Sequence, residues 1–264
     1  MATTHFPLGV TNVPQASATG TLLFPDPSRC HTFYDDFDKF DGGYAAATDP
    51  AVAVPGDWLV TQITGTTATA TVGDVDGGVV ALTNDSTAAH GVAVQWLGKQ
   101  ASVVESFSWD SSLPMWFKTR FKVSDAINSA LVMGLQITDT TPFSVSDGLY
   151  FSKADTSTSV AFNAIKTGAG TTTLSSIATL ADDTYIELAF SYLPYGDDLG
   201  SPMPILLVYA NGNKVGSITT FTNVPTRTLT ISAALQNGAA GASTVLSWDY
   251  VLMSKARAQT SLTS

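Results

Sequence analysis

Met115-Trp116-Phe117-Lys118-Thr119-Arg120-Phe121-Lys122-Val123 decides the fold class. Side chains alternate across an extended chain. Met115, Phe117, Thr119, Phe121 and Val123 therefore share one face, and Trp116, Lys118, Arg120 and Lys122 share the other. One apolar face and one polar face make a half-buried strand. Pro114, just before it, favours an extended predecessor and a clean start.

The same reading extends in both directions. Strands are predicted at 57–62, 66–72, 78–83, 91–97, 101–109, 131–138, 148–153, 160–167, 184–193, 205–210, 229–235 and 245–255. In the run 101–109, Val103, Glu105, Phe107 and Trp109 share a face. Asp74-Val75-Asp76-Gly77 and Asn211-Gly212-Asn213-Lys214 read as hairpin turns, because Asn, Asp and Gly tolerate the positive φ such turns need. No segment longer than about ten residues has helical periodicity. Many short, evenly spaced strands indicate an all-β, two-sheet antiparallel jelly-roll sandwich. No internal repeat and no second domain are expected.

Composition narrows the function classes. Charged residues make up 13% of the 264, about half the usual share of roughly 25%. Thr, Ser, Ala and Gly take their place, which suits strands and surfaces buried in an assembly. The net charge of −10 comes with scattered basic residues, so no direct nucleic-acid partner is expected. Cys30 is the only cysteine, so no disulfide framework exists and folding needs no oxidising compartment. MATTHFPLGV lacks a basic stretch followed by an apolar run, and no run approaches about 18 apolar residues. Neither a signal peptide nor a membrane span is expected.

Residues 1–32 read as an extended N-terminal arm. Pro7, Pro14, Pro25 and Pro27 disfavour regular structure, while Phe6, Leu8, Leu22, Leu23 and Phe24 offer apolar anchors. Residues 33–257 form the sandwich, and 258–264 a short polar tail.

Two further motifs frame the sandwich. Near the front stands Phe33-Tyr34-Asp35-Asp36-Phe37, and near the back Trp248-Asp249-Tyr250-Val251. With their aliphatic neighbours they resemble the first and last strands of the concanavalin A-like lectin and glucanase superfamily. That resemblance implies that the two ends pair in one sheet. The proline-containing arm, the Thr/Ala/Gly-rich sandwich and the polar tail also resemble structural proteins of tailed bacteriophages. This second resemblance implies a head decoration (cement) protein on the virion surface, assembled in the host cytoplasm. Its partners would be the major capsid protein and neighbouring copies, as a trimer or dimer.

Catalytic chemistry finds little support. Glucanases of the superfamily carry Glu-x-Asp-x-x-Glu on one strand, and a retaining glycosidase needs two carboxylates about 5 Å apart. The chain holds only Glu105 and Glu187, neither in such a pattern. His5, His31 and His90 form no nucleophile set, and no Gly-x-Ser-x-Gly elbow exists. Cys30 and His31 are adjacent, so on an extended chain they point apart. No catalytic residue and no cofactor is therefore expected. Calcium is the one ion that loop oxygens could take, from Asp74, Asp76 and Gly77, from Asp197 and Asp198, or from Asp147. Turn formation explains each of these first. Trp58, Trp96, Trp109, Trp116 and Trp248 fill a core or an interface. Trp116, on the face opposite Phe117, joins the arm residues as a candidate interface residue. The expectation is a non-enzymatic virion protein. The alternative is a carbohydrate-binding module of a phage tail or fibre, and a glycan hydrolase with displaced carboxylates comes third.

Overall fold

The computed structural model describes residues 30–40, 42–44, 57–65, 68–73, 77–97, 105–195, 204–238 and 243–257. Seventeen strands follow in order: β1 (Cys30–Asp35), β2 (Gly42–Tyr44), β3 (Trp58–Ile63), β4 (Thr69–Gly73), β5 (Val79–Thr83), β6 (Gly91–Trp96), β7 (Phe107–Ser108), β8 (Met115–Val123), β9 (Ser129–Gln136), β10 (Gly148–Lys153), β11 (Ser159–Lys166), β12 (Gly170–Thr179), β13 (Ile186–Leu193), β14 (Ile205–Ala210), β15 (Asn213–Ile218), β16 (Thr228–Asn237) and β17 (Val245–Ala256). No helix occurs among the described residues.

The strands form two stacked sheets. The eight-stranded sheet runs β15-β14-β13-β8-β17-β5-β4, with β1 also paired to β17. The nine-stranded sheet runs β12-β11-β10-β9-β16-β6-β3-β2, with β7 also paired to β16. Pairing is antiparallel throughout except for β2 beside β3, which is parallel. The fold is a two-sheet jelly-roll sandwich.

The two ends do pair, with Asp35 opposite Val251 and Cys30 opposite Ala256. β1 starts at Cys30, three residues ahead of the expected Phe33, so Cys30, His31 and Thr32 belong to the sandwich rather than to the arm. Each has a local reason to be there. Cys30 is buried, His31 stacks on Phe107 with ring centroids 4.6 Å apart, and the Thr32 and Ser254 hydroxyls bond at 2.7 Å.

The end motifs are structural locks. Asp35 Oδ1 accepts the Phe37 N–H at 2.8 Å, and Oδ2 accepts Trp58 Nε1–H at 3.0 Å. This turn leaves Phe37 at φ 57 and drives its ring into the core. There it meets Trp248 at 4.8 Å and Trp58 at 5.8 Å. In β17 the register against β8 shifts between Trp248 and Tyr250. The bulge lets Trp248 point inward and bond Thr119 Oγ1 at 2.7 Å, while the Asp249 carboxylate receives Arg120 on the outer face.

β8 alternates as its sequence requires, with every odd-numbered residue from Met115 to Val123 buried and every even-numbered one half-buried. Phe117 stacks on Phe190 at 5.2 Å between the sheets. The β14–β15 turn has Asn211 at φ 48 and Gly212 at φ 76, the paired positive values of a type I′ hairpin. Within the described part of the expected strand 101–109, only Phe107–Ser108 pairs, as β7, and Trp109 turns away to stack on Phe221 at 5.9 Å; residues 101–104 lie outside the described residues.

Candidate functional site

The outer face of the nine-stranded sheet carries the polar residues that the core does not explain. Leu131, Met133 and Leu135 of β9 point into the core, so Val132, Gly134 and Gln136 point outward. Register then aligns a row across seven strands: Leu59, Gln95, Ser232, Gly134, Tyr150, Asn163 and Thr173. In the neighbouring row Gln136 lies between Thr230 and Gly148.

Most of these polar groups have partners. Gln95 Nε2 donates to Ser232 Oγ at 2.9 Å and to Ile137 O at 3.1 Å. The Asp139 N–H donates to Gln95 Oε1 at 3.0 Å. Gln95 thereby draws the chain after β9 across the face of β16. Asn163 Nδ2 donates to Ser152 Oγ at 2.8 Å, and Thr173 Oγ1 donates to Asn163 Oδ1 at 2.9 Å. Thr230 Oγ1 donates to Trp96 O.

Gln136 is different. It is 2% exposed, and its Nε2 has no hydrogen-bond partner. Thr61 Oγ1, on the same face, and Thr138 Oγ1, two residues beyond Gln136, are also buried without partners. Beside Gln136, two glycines remove side chains from the surface. Gly134 has φ 152, and a Cβ there would sit 2.6 Å from Leu149 O and 2.7 Å from Tyr150 Cα. A Cβ at Gly148 would sit 3.1 Å from Tyr150 Cδ1 and 3.0 Å from Val145 Cγ1. The half-buried Tyr150 ring therefore leans over Gly148 toward the Gln136 row. Burial pushes the Tyr150 hydroxyl pKa up, so it stays a neutral donor. The unpaired Gln136 amide and the Asn163 amide are buried, while the half-buried Tyr150 ring presents a surface on which a polyol can stack.

Trp116 is half-buried and faces outward from the eight-stranded sheet, opposite Ser191 and Ser254. Phe6, Leu8, Leu22, Leu23 and Phe24 lie outside the described residues, as do Asp74, Asp76, Asp197 and Asp198. Gly77 is described, with φ 81. Asp147 is 1% exposed and holds the β11–β12 turn: its Oδ2 accepts Thr167 Oγ1–H at 2.6 Å and lies 3.7 Å from Arg227 Nη1. Among the described residues no three His, Cys, Asp or Glu side chains gather to hold a metal. Glu105 accepts the Thr138 N–H at 2.8 Å. Glu187, on the outer face of the eight-stranded sheet, accepts the Tyr250 hydroxyl at 2.5 Å and pairs with Lys118 at 2.7 Å. Trp58 and Trp248 are core residues, and Trp96 and Trp109 pack against that core. Sequence reading missed Gln136 and Tyr150; the available signal was polar residues alternating with glycine in the otherwise apolar strands Ser129–Gln136 and Gly148–Lys153.

No family model matches the chain, and no curated protein matches it. Solved structures do. The carbohydrate recognition domain of Emp47p superposes with a TM-score of 0.53 at 11% identity, covering 89% of this chain and 99% of that one. An endo-β-1,4-glucuronan lyase from the fungus Trichoderma reesei gives 0.48 at 10% identity, over 85% of this chain and 94% of that one. A carbohydrate esterase from the Shiga toxin-encoding bacteriophage phi24B gives 0.42 at 13% identity, over 83% of this chain and 99% of that one. The likeness to the recognition domain shows the fold: the chain is a lectin-like jelly roll.

Proposed function

We propose that the chain is a non-enzymatic carbohydrate-binding module that holds a glycan on the outer face of its nine-stranded sheet, at Gln136 and Tyr150. The unpaired Gln136 amide carries this reading. A buried donor without a partner costs about 1–3 kcal/mol, and Met at this position would remove that cost with little change of volume. Nε2 is buried, so a sugar hydroxyl supplies the acceptor it lacks only once the groups over it give way, and the half-buried Tyr150 ring beside it supplies the stacking surface that meets the glycan first. The lectin-like fold supports the reading.

The test is a glycan array with the intact chain and with Gln136→Met. The parent should bind, and the variant should lose that binding while its Tm rises. An array without hits for the parent, or a variant that binds as well as the parent, refutes the site.

Head decoration is a second reading, favoured by Trp116. This large ring faces outward from the eight-stranded sheet, on the side opposite the glycan site. A particle-bound copy docked by that sheet, with help from the arm, would leave the nine-stranded face outward. Imaging of particles mixed with parent and Trp116→Ala chains tests it: equal occupancy by both removes Trp116 from the contact, and bare particles remove the reading.

A further inference from the structure

Lys153, at the end of β10, is 2% exposed, and no carboxylate lies within ion-pair distance of its ammonium among the described residues. Its Nζ instead donates to main-chain carbonyls: Ala126 O at 2.6 Å, Ser157 O at 2.8 Å, Ala154 O at 3.1 Å, and Ser129 O. An ammonium has three protons, so four converging acceptors outnumber its donors. That excess marks a cage built around a charge rather than around a set of directed bonds.

The oxygens come from the turn between β8 and β9 with Ser129 at the start of β9, and from the turn between β10 and β11. Other bonds fix both turns. The Ala126 N–H donates to Asp182 Oδ1 at 2.7 Å. Asp125 Oδ1 accepts the N–H groups of Ile127 at 3.0 Å and Asn128 at 2.8 Å. The Thr156 N–H donates to Ile127 O at 2.8 Å, tying one turn to the other. These bonds hold the carbonyl-bearing segments without help from Lys153. Burial draws the Lys153 pKa down to about 8, against the pull of Asp125 and Asp155, so the group is still mostly charged at neutral pH.

Neutral carbonyl oxygens alone, without a carboxylate among the ligands, match a singly charged ion. Calcium takes six to eight oxygens and draws on carboxylates, whereas carbonyl rings replace the hydration shell of potassium. We propose that these four carbonyls form a monovalent-cation site whose resident cation is the protein's own Lys153 ammonium, and that the cage, once emptied, takes potassium or ammonium ion.

The test uses the full chain and Lys153→Ala, unfolded thermally in choline, potassium or ammonium chloride at matched ionic strength. The parent should melt at one temperature in all three salts. The variant should melt lower in choline and recover saturably in potassium and ammonium. Equal recovery in all three salts, or none, overturns the proposal, as does a variant as stable as the parent in choline. Should the variant refold poorly, its refolding yield in ammonium against choline gives the same discrimination, and failure in every salt overturns it. A readout on the parent guards the result: with 15N-labelled lysine, one ammonium proton signal should exchange slowly with water and vanish in Lys153→Ala. A parent without such a signal refutes the cage.

Discussion

Replacing Phe37 separates two contributions that the end motif combines. The ring is fully buried between Trp248 and Trp58, so Phe37→Ala should cost about 3–5 kcal/mol. For a domain of this size class, that lowers Tm by about 6–20 °C. The backbone at Phe37 has φ 57, however, which an L-residue adopts at a cost of about 1–2 kcal/mol. Phe37→Ala keeps that cost, whereas Phe37→Gly removes it. Glycine's extra unfolded-state freedom takes back about 0.5–1 kcal/mol. Phe37→Gly should therefore be the more stable of the two by up to about 1.5 kcal/mol, the reverse of the order within a regular strand. Urea unfolding followed by tryptophan fluorescence measures both, since Trp58 and Trp248 report directly on the site. A Phe37→Ala loss below about 1 kcal/mol would refute the packing argument. A Phe37→Gly variant less stable than Phe37→Ala would refute the backbone argument.

Other consequences are independent of that one. Gly134→Ala places a Cβ against the backbone of β10 at a positive φ, so it should cost about 1–3 kcal/mol and weaken glycan binding, read by Tm and by titration. Asp35→Ala leaves the Phe37 N–H and Trp58 Nε1–H without their acceptor, and a double-mutant cycle with Phe37→Ala should show coupling of about 0.5–3 kcal/mol. Burial, then the Glu187 carboxylate, pushes the Tyr250 pKa far above 10.0. The folded state thus keeps a proton that the unfolded state releases, and stability from this hydroxyl, intact below pH 10, is lost as pH rises further. Tyr250→Phe should flatten the decline in urea midpoint above that pH, and an unchanged slope counts against the assignment.

The all-β class was legible because a half-buried strand such as β8 prints its alternation directly. The pairing of the chain ends was legible because Asp35-Asp36-Phe37 and Trp248-Asp249-Tyr250 are local devices, a turn and a bulge, that need particular residues. β12 was not legible: Gly170–Thr179 is an edge strand exposed on much of both faces, and a run of Thr and Ser leaves no apolar period. The β11–β12 turn was hidden for a related reason, since Asp147 fixes it from twenty residues away in sequence. The candidate site was hidden because its meaning lies in register. Gln136 and Tyr150 are fourteen positions apart and become neighbours only when β9 and β10 pair. That an amide lacks a partner is a fact of packing, which no residue pattern records.

The distribution of charge between the two faces yields a sharper demand on the glycan reading. The outer face of the eight-stranded sheet carries Lys118 with Glu187, Arg120 with Asp249 and Lys122 with Asp183. Tyr185 lies under Arg120 and Lys122 there, at 4.2 and 5.4 Å. The rows that cross the outer face of the nine-stranded sheet contain no Lys, Arg, His, Asp or Glu among the described residues. A ligand held on those rows meets amides, hydroxyls and a ring, while the nearby charged groups, Glu105, Asp139 and Asp147 with Arg227, sit on the flanking segments. The chain's net charge of −10 also repels anions at long range. Screening over about 8–10 Å at physiological ionic strength has no ion pair to weaken at such a contact. Affinity for a neutral oligosaccharide should therefore stay constant as sodium chloride is raised, and uronate-rich or sulfated polymers should bind worse than neutral ones. Calorimetric titration at low and high salt decides it: affinity for an acidic polymer that falls steeply with salt would show the ligand held on charged residues, and so on a different surface from the one around Gln136 and Tyr150.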